Sequence, residues 1–130
     1  MTGHLTQTIL KRFEVPDDVR EFPKGKFETV TLGPMTIGRA TYQPGWKWSD
    51  DVGLGLGEDS CTVEHVGMVV SGCATAAMKR DDGSLDVVEM KPGDLFYVPS
   101  HPHDSWVVGD EPYVSLHFLG ANKYSTKQPD

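Results

Sequence analysis

The chain has 130 residues, enough for one domain with one hydrophobic core. Its formal net charge of −7 disfavours binding to nucleic acid, because an acidic surface repels the phosphate backbone. No segment approaches the roughly 20 apolar residues of a membrane helix, the first residues lack a signal-peptide pattern, and two cysteines make no disulfide framework. We therefore expect a soluble, cytoplasmic protein with no membrane partner.

The acidic charge is concentrated in the second part of the chain. Residues 1–50 carry seven Lys and Arg against six Asp and Glu, whereas residues 51–130 carry five against thirteen. These carboxylates indicate either a solvated surface or a group gathered around a cation, and composition does not separate the two.

Short segments of alternating polarity, rich in Val, Thr, Phe and Tyr, lie between closely spaced glycines and prolines. This pattern predicts β-strands and leaves little room for helix. In chain order the predicted strands are 27–32, 35–43, 61–70, 73–80, 85–90, 95–98, 105–108 and 113–119. The segment 80–84, with Gly83 in it, predicts a hairpin turn. So many short strands in a small chain indicate an antiparallel sandwich or barrel.

The chain divides into three predicted parts. Residues 1–26 carry more charge and are predicted to form a leading strand that joins a neighbouring subunit. Residues 27–120 form the barrel, and residues 121–130 are predicted to be a frayed polar tail.

Two runs of residues share their spacing with a known family. The first is Gly53-x5-Asp59-x-Cys61-x3-His65-x6-Gly72, and the second, later in the chain, is Gly93-x5-Pro99. They resemble the two motifs of the cupins, G-x5-H-x-H-x3/4-E-x6-G and G-x5-P-x-G-x2-H-x3-N. The resemblance implies an all-β fold, the double-stranded β-helix (jelly-roll) cupin barrel, over most of the chain.

The resemblance also implies a metal site, although the ligand positions are altered. Where cupins place His, His and Glu, this sequence has Asp59, Cys61 and His65. In the second motif, strict spacing puts Asp104 on the histidine position, and a shift of one residue puts His103 there. We prefer His103, because the His-Asp pair before a Ser-Trp pair resembles a variant cupin loop, P-P-G-H-D-x-W.

The predicted ligands are therefore Cys61, His65 and His103, with Asp59, Asp104 or His101 as a fourth. Thiolate and imidazole favour Zn²⁺ among divalent transition metals, and Fe, Ni or Mn are alternatives. A different interpretation needs no metal: a cysteine often packs as a small hydrophobic residue, and a strand histidine is often a hydrogen-bonded core residue.

Aromatic side chains predict a pocket for a small molecule. Trp46 and Trp48 share one side of a segment predicted to be extended, and Trp106 follows the His-Asp pair closely. His117 shares a face with Tyr113 and Ser115, and this polar row either faces solvent or lines the mouth of the barrel.

Two functions follow from the resemblance. The first is a metal-dependent enzyme, a dioxygenase or an isomerase acting on a small molecule, in which Asp104 orients or deprotonates the substrate. The second is a metal-free cupin that binds a small ligand as a sensor without catalysis. The resemblance further implies a homodimer formed through the N-terminal strand.

Overall fold

The computed structural model describes residues 6–124, and strands account for most of its regular structure. Two short helices, α1 (Trp48–Asp51) and α2 (Gly53–Leu56), lie between the third and fourth strands. The strands are β1 (Asp18–Phe22), β2 (Gly25–Leu32), β3 (Met35–Tyr42), β4 (His65–Ser71), β5 (Cys73–Lys79), β6 (Leu85–Met90), β7 (Leu95–Val98), β8 (His103–Asp104), β9 (Val107–Val108) and β10 (Tyr113–Leu119).

The strands form two antiparallel sheets, which confirms the predicted all-β jelly-roll class. The six-stranded sheet has the order β1-β2-β3-β10-β4-β7, and the four-stranded sheet has the order β6-β5-β8, with β9 also paired to β5. The last strand, β10, lies between β3 and β4, so residues distant in sequence become neighbours. The predicted hairpin between β5 and β6 is confirmed: Gly83 has φ +89° and its amide donates to the carbonyl of Arg80.

The predicted strand 61–70 is two pieces that belong to different sheets. Cys61 pairs with His103 of β8 through two backbone hydrogen bonds, on the side of the four-stranded sheet. His65 begins β4 and pairs with Val98 in the six-stranded sheet. The backbone therefore crosses from one sheet to the other between Cys61 and His65. Of the predicted strand 105–108, only Val107–Val108 is a strand, β9, and the preceding β8 at His103–Asp104 was not predicted.

The segment around Trp46 and Trp48 is not an extended strand, because Trp48 begins α1. The first turn of this helix is held by carboxylates. The amide and the hydroxyl of Ser49 both donate to Asp104, and the amide of Lys47 donates to Asp51. One of these carboxylates comes from a distant strand, so local sequence patterns do not indicate the helix. Both indoles are nevertheless buried, as predicted.

The two ends of the described chain pack against the six-stranded sheet. β1 pairs along its length with β2 of the same chain, and pairing with a neighbouring subunit stays a prediction. The prediction of a frayed tail is wrong for residues 121–124, because Ala121 and Tyr124 are core residues. Residues 1–5 and 125–130 lie outside the described part. Within that part, no helix has the length and apolar character needed to cross a membrane.

Candidate metal centre and cavity

A small cavity lies between the two sheets. It offers about 50 Å³ of space, enough for ordered water or a small molecule. Its wall is mostly aromatic and aliphatic, with polar side chains from both sheets. The lining residues are Tyr42, Trp46, Trp48, Cys61, His65, Thr75, Ala76, Phe96, Val98, His103, Asp104, Ser105, Tyr113, Ser115, His117 and Tyr124.

Three of the predicted ligands converge in this wall. Cys61, His65 and His103 are all buried, and one ligand atom from each lies within 4.8 Å of the other two. The Sγ atom of Cys61 is 3.7 Å from Nε2 of His65. The crossing between the sheets brings these two together, and the backbone pairing of Cys61 with β8 adds His103. The cluster is therefore a product of the topology.

The ring of His103 is oriented for ligation. Its Nδ1–H donates to the carbonyl of His101 at 2.7 Å, which leaves the lone pair of Nε2 free. A backbone carbonyl bound to one ring nitrogen is the usual way in which proteins fix the tautomer of a metal-binding histidine. His101 thus contributes its carbonyl group, while its own exposed ring lies 2.8 Å from the carbonyl of Lys79 and outside the cluster.

Burial keeps the cluster uncharged in the absence of an ion. It raises the pKa of the Cys61 thiol to about 12, and the nearby carboxylate of Asp104 adds to the increase. Burial also lowers the pKa of His65 well below its usual value, helped by His117 and His103, and it lowers the pKa of His103. At neutral pH the group consists of a thiol and two neutral imidazoles. A divalent cation would displace the thiol proton.

The donor set fits a tetrahedral transition metal. Bonds of about 2.3 Å to sulfur and 2.0–2.1 Å to nitrogen place neighbouring donors roughly 3.5 Å apart. The Cys61–His65 separation of 3.7 Å is close to this value, and a pair of ligand atoms at the 4.8 Å limit would have to approach by about 1.3 Å. Three protein ligands would leave a tetrahedral ion one position for water or a small molecule, as in catalytic rather than structural zinc sites.

Other predicted site residues lie elsewhere. Asp59 is exposed and accepts a hydrogen bond from Ser60, so it is outside the cluster. Trp106 does not line the cavity; its ring lies 5.6 Å from the ammonium group of Lys47. Both residues match the sequence patterns of the family, but neither lies in the wall of the cavity.

Asp104 lines the cavity, but its oxygens already have donors. They accept from the amide of Ser49 at 3.0 Å, the hydroxyl of Ser49 at 2.8 Å and the amide of Ser105 at 2.9 Å. These contacts fix the start of α1 beside the cavity.

His117 lies inside the molecule, and the alternative in which its row faces solvent is wrong. The side chain is 6% exposed, and its Nε2 lies 3.0 Å from the hydroxyl of Ser115. Burial lowers the pKa of His117 to about 4. Its ring centroid is 5.3 Å from that of His65, so a third neutral imidazole borders the ligand cluster.

Two tyrosines of the wall were not predicted. The hydroxyl of Tyr42 donates to that of Tyr124 at 2.6 Å, and the ring of Tyr42 stacks on Trp46 with centroids 3.7 Å apart. The alternation in β3 could have indicated Tyr42, which shares the buried face with Ala40. No sequence signal marks Tyr124, because it follows the last strand.

Solved structures share this fold. An oxalate decarboxylase of Bacillus subtilis with Mn(II) centres is 21% identical over 80% of this chain and 28% of its own, with a TM-score of 0.55. The Lactobacillus farciminis oxalate decarboxylase in complex with formate is 18% identical over 79% of this chain and 30% of its own, with a TM-score of 0.57. A Rhizobium leguminosarum bv. viciae protein of unknown function is 23% identical over 74% of this chain and 80% of its own, with a TM-score of 0.54.

This chain spans less than a third of the length of the two decarboxylases. No family model and no curated protein matches it. The two sheets, the spacing of the motifs and these structural matches agree: the chain has the jelly-roll fold of the cupins.

Proposed function

We propose that the protein binds a divalent transition metal through Cys61, His65 and His103 and acts on a small molecule in the adjoining cavity. The convergence of one ligand atom from each residue within 4.8 Å, in the wall of a cavity, carries this proposal. The decarboxylase of similar fold from Bacillus subtilis has Mn(II) centres, but a thiolate ligand favours Zn²⁺ or Fe²⁺ over Mn²⁺ here.

A bound ion would supply Lewis acidity at its open position. The residues of this chain would position the ligands and enclose the cavity. The carbonyl of His101 holds the His103 ring, the aromatic wall excludes bulk water, and Asp104 fixes the edge of the cavity through Ser49. His117, a neutral imidazole beside the cluster, borders the ring of His65 and helps to shape the polar side of the cavity.

A metal-free binding protein is the second candidate, favoured by one contact. The Cys61 thiol lies 3.7 Å from Nε2 of His65, so the two side chains form a hydrogen bond with each other without an ion. In that case the cavity would hold a small ligand, and the cluster would only shape its wall.

Metal analysis separates the two candidates. Protein purified without chelator, offered Zn²⁺, Fe²⁺, Ni²⁺ and Mn²⁺ in turn and then desalted, should retain about one ion per chain. Cys61→Ala, His65→Ala and His103→Ala should each retain roughly a tenth or less, because each removes one of three ligands. Less than about 0.1 ion in the wild type would overturn the proposal in favour of the metal-free protein.

Two variants serve as matched controls. Cys73→Ser removes the other free cysteine, and His101→Ala removes an exposed imidazole while keeping the carbonyl that holds His103. Both should keep full occupancy. Circular dichroism of every variant shows whether a loss of metal is a loss of fold. Full occupancy in Cys61→Ala, His65→Ala and His103→Ala alike would mean that the ion binds elsewhere.

A further inference from the structure

One apolar side chain of β6 faces the interior of the barrel and is nevertheless open to solvent. Val88 is paired directly with Ala76 of β5, and directly paired residues of an antiparallel ladder point to the same face. Ala76 lines the cavity, so Val88 also faces inward. Even so, Val88 is 56% exposed. The barrel wall is therefore incomplete at this position.

The pairing on the other side of β5 supports this assignment of faces. Met78, on the same face of β5 as Ala76, is paired with His103 of the ligand cluster. Ala74, also on this face, packs in the hydrophobic core with its cross-strand partner Met90 of β6. The inner face of the four-stranded sheet thus runs from the core at Met90 to the strand that carries His103.

The cavity opens between β6 and β7. These strands are joined by the turn 91–94, and beside the turn Met90 is only 8% exposed. Further from the turn, Val88 is largely open, and Asp86 is the exposed end of the same face. Across the gap, Phe96 of β7 lines the cavity and is only partly buried. We call the residues at this opening the mouth: Ala76, Met78, Val88 and Phe96.

The mouth is apolar. None of its four side chains carries a charge, a hydroxyl or an amide. The charged residue on the inner face of β6 is Asp86, which is paired with Met78 and lies 3.5 Å from the guanidinium group of Arg80. A charged or strongly polar group placed over the mouth would lose water without gaining a partner, whereas an apolar group would be stabilised by leaving water.

Size and position indicate a small molecule rather than a protein. A stable protein interface buries about 800 Å² on each partner, whereas three of the four mouth side chains are already partly buried. Ala76 and Phe96 belong to the mouth and to the cavity wall, so the two are continuous. The cavity, with about 50 Å³, is small beside the roughly 300–1,000 Å³ of ordinary ligand sites. A bound molecule of ordinary size would therefore extend over the mouth.

We propose that the small molecule bound by this protein is amphipathic: its polar end lies in the cavity beside the ligand cluster, and an aliphatic or aromatic group extends over Val88, Met78 and Phe96. This inference rests on the proposed function in directing the polar end to the metal, whereas the contacts at the mouth do not depend on the ion. It excludes small, wholly polar molecules as the preferred substrates, because they would leave the mouth exposed to water.

A series of hydroxamates tests the proposal in Zn²⁺-loaded protein. The hydroxamate group chelates zinc, and the length of the alkyl chain is the variable. From acetohydroxamate through butyrohydroxamate to hexanohydroxamate, the affinity should rise about threefold for each added methylene, because each one removes apolar surface from water. Calorimetry measures the affinities. An affinity that does not rise with chain length would overturn the inference.

Val88→Asp and Val87→Asp form a matched pair of variants. Both add a carboxylate to β6 at positions of similar exposure, 56% and 46%, and they differ in the face that they change. Val88→Asp should lower the ratio of hexanohydroxamate affinity to acetohydroxamate affinity roughly tenfold, because the chain then meets a carboxylate. Val87→Asp should change this ratio by less than about twofold. Equal losses in the two variants, with both folded by circular dichroism, would overturn the inference.

A titration of chelator-treated protein with 1-hexanol separates this inference from the proposed metal site. The methyl ¹H–¹³C resonances of Val88 and Met78 should shift in a saturable manner, and those of Val87 should stay in place. If metal analysis fails but Val88 and Met78 respond, the apolar mouth stands and the metal proposal falls. If one ion per chain is retained but neither residue responds, the metal proposal stands and the apolar mouth falls.

A soluble nitroxide shows whether the mouth is free before any probe is added. It should broaden the methyl resonances of Val88 and Val87 alike, since both are exposed to a similar degree. Protection of Val88 alone would mean that a chain end or a second copy fills the mouth, and it would overturn the inference.

Discussion

On β10 the polar face is buried and the apolar face is partly exposed, the reverse of what is usual for a strand at the edge of a core. Its inner row, Tyr113, Ser115 and His117, is polar in character yet fully buried, whereas its outer row, Val114, Leu116 and Phe118, is apolar yet partly exposed. Alternation correctly divides a strand into two faces. It does not say which face points inward when the interior of the barrel is a site.

Hydrogen bonding satisfies part of the polarity of the inner row, although Nδ1 of His117 has no partner in the described chain. Ser115 and His117 lie within hydrogen-bonding distance of each other, and the His117 ring makes edge contacts with Phe27 and Phe96, at centroid distances of 5.2 and 5.5 Å. The comparison therefore predicts that changes on the cavity side cost more than changes on the outer face of the same sheet.

Trp46→Ala should produce the largest effect. The side chain is almost fully buried and stacks on Tyr42, so its removal leaves a cavity and should lower the free energy of unfolding by about 3–5 kcal/mol. Urea denaturation measures the change. Trp106→Ala, at a partly exposed tryptophan, is the matched control and should cost clearly less. Equal losses would show that the cavity wall is not the main source of stability.

The pH dependence of stability should follow the buried histidines. The pKa of His117 is about 4 in the folded protein and about 6.5 in the unfolded chain. At pH values between the two, this histidine is therefore protonated only in the unfolded chain. Stability is complete above pH 6.5 and falls as the pH drops toward 4, by about 3 kcal/mol from this residue. His65 and His103 add to the slope in the same direction.

Urea titrations of chelator-treated protein between pH 4 and 7.5 test this slope. His117→Gln should flatten it by close to one proton, whereas Phe118→Ser, on the outer face of the same strand, removes no titratable group and should leave it unchanged. A wild-type stability that does not change between pH 4 and 6.5 would contradict the burial of neutral imidazoles.

Metal affinity should rise with pH because the Cys61 thiol, with a pKa of about 12, must lose its proton on binding. The apparent dissociation constant for Zn²⁺ should fall about tenfold for each pH unit between 6.5 and 8. Calorimetry in buffers with different ionisation enthalpies measures the released proton. Cys73→Ser should release the same number of protons as the wild type. Cys61→Ala, titrated to saturation at higher Zn²⁺ concentration because its binding is weaker, should release one proton fewer; an unchanged count in Cys61→Ala would exclude this thiol as a ligand.

Phe118→Ser on the outer face should produce the smallest effect, less than about 1 kcal/mol in the free energy of unfolding. The side chain is 37% exposed, and surface substitutions away from special features change stability little. A loss as large as that of Trp46→Ala would mean that the outer face is covered in solution. Sedimentation equilibrium of the same variant and of the wild type then shows whether a second copy covers it, and a wild type that is monomeric at micromolar concentration would also refute the predicted homodimer through the N-terminal strand.

Most strands and the ligand cluster could be predicted from the sequence, for different reasons. Strands such as β6 and β7 are bounded by local turn residues and match their predicted limits. The motif spacing predicts Cys61 and His65, the resemblance to a variant loop predicts His103, and the structure brings the three together. Asp59 fits the same spacing and Trp106 fits the same loop, but both lie outside the cavity, because sequence patterns do not record where a chain leaves one sheet for another.

The sequence alone determined the strand-rich class, the hairpin at Gly83 and the residue types available for a metal, since these depend on backbone preference and local spacing. Tertiary structure decided the crossing between Cys61 and His65, the capping of α1 by Asp104, the inward position of His117 and the place of Tyr124 in the wall. Each of these depends on contacts between residues far apart in the chain, and no local pattern specifies which side of a strand or which distant carboxylate such a contact will use.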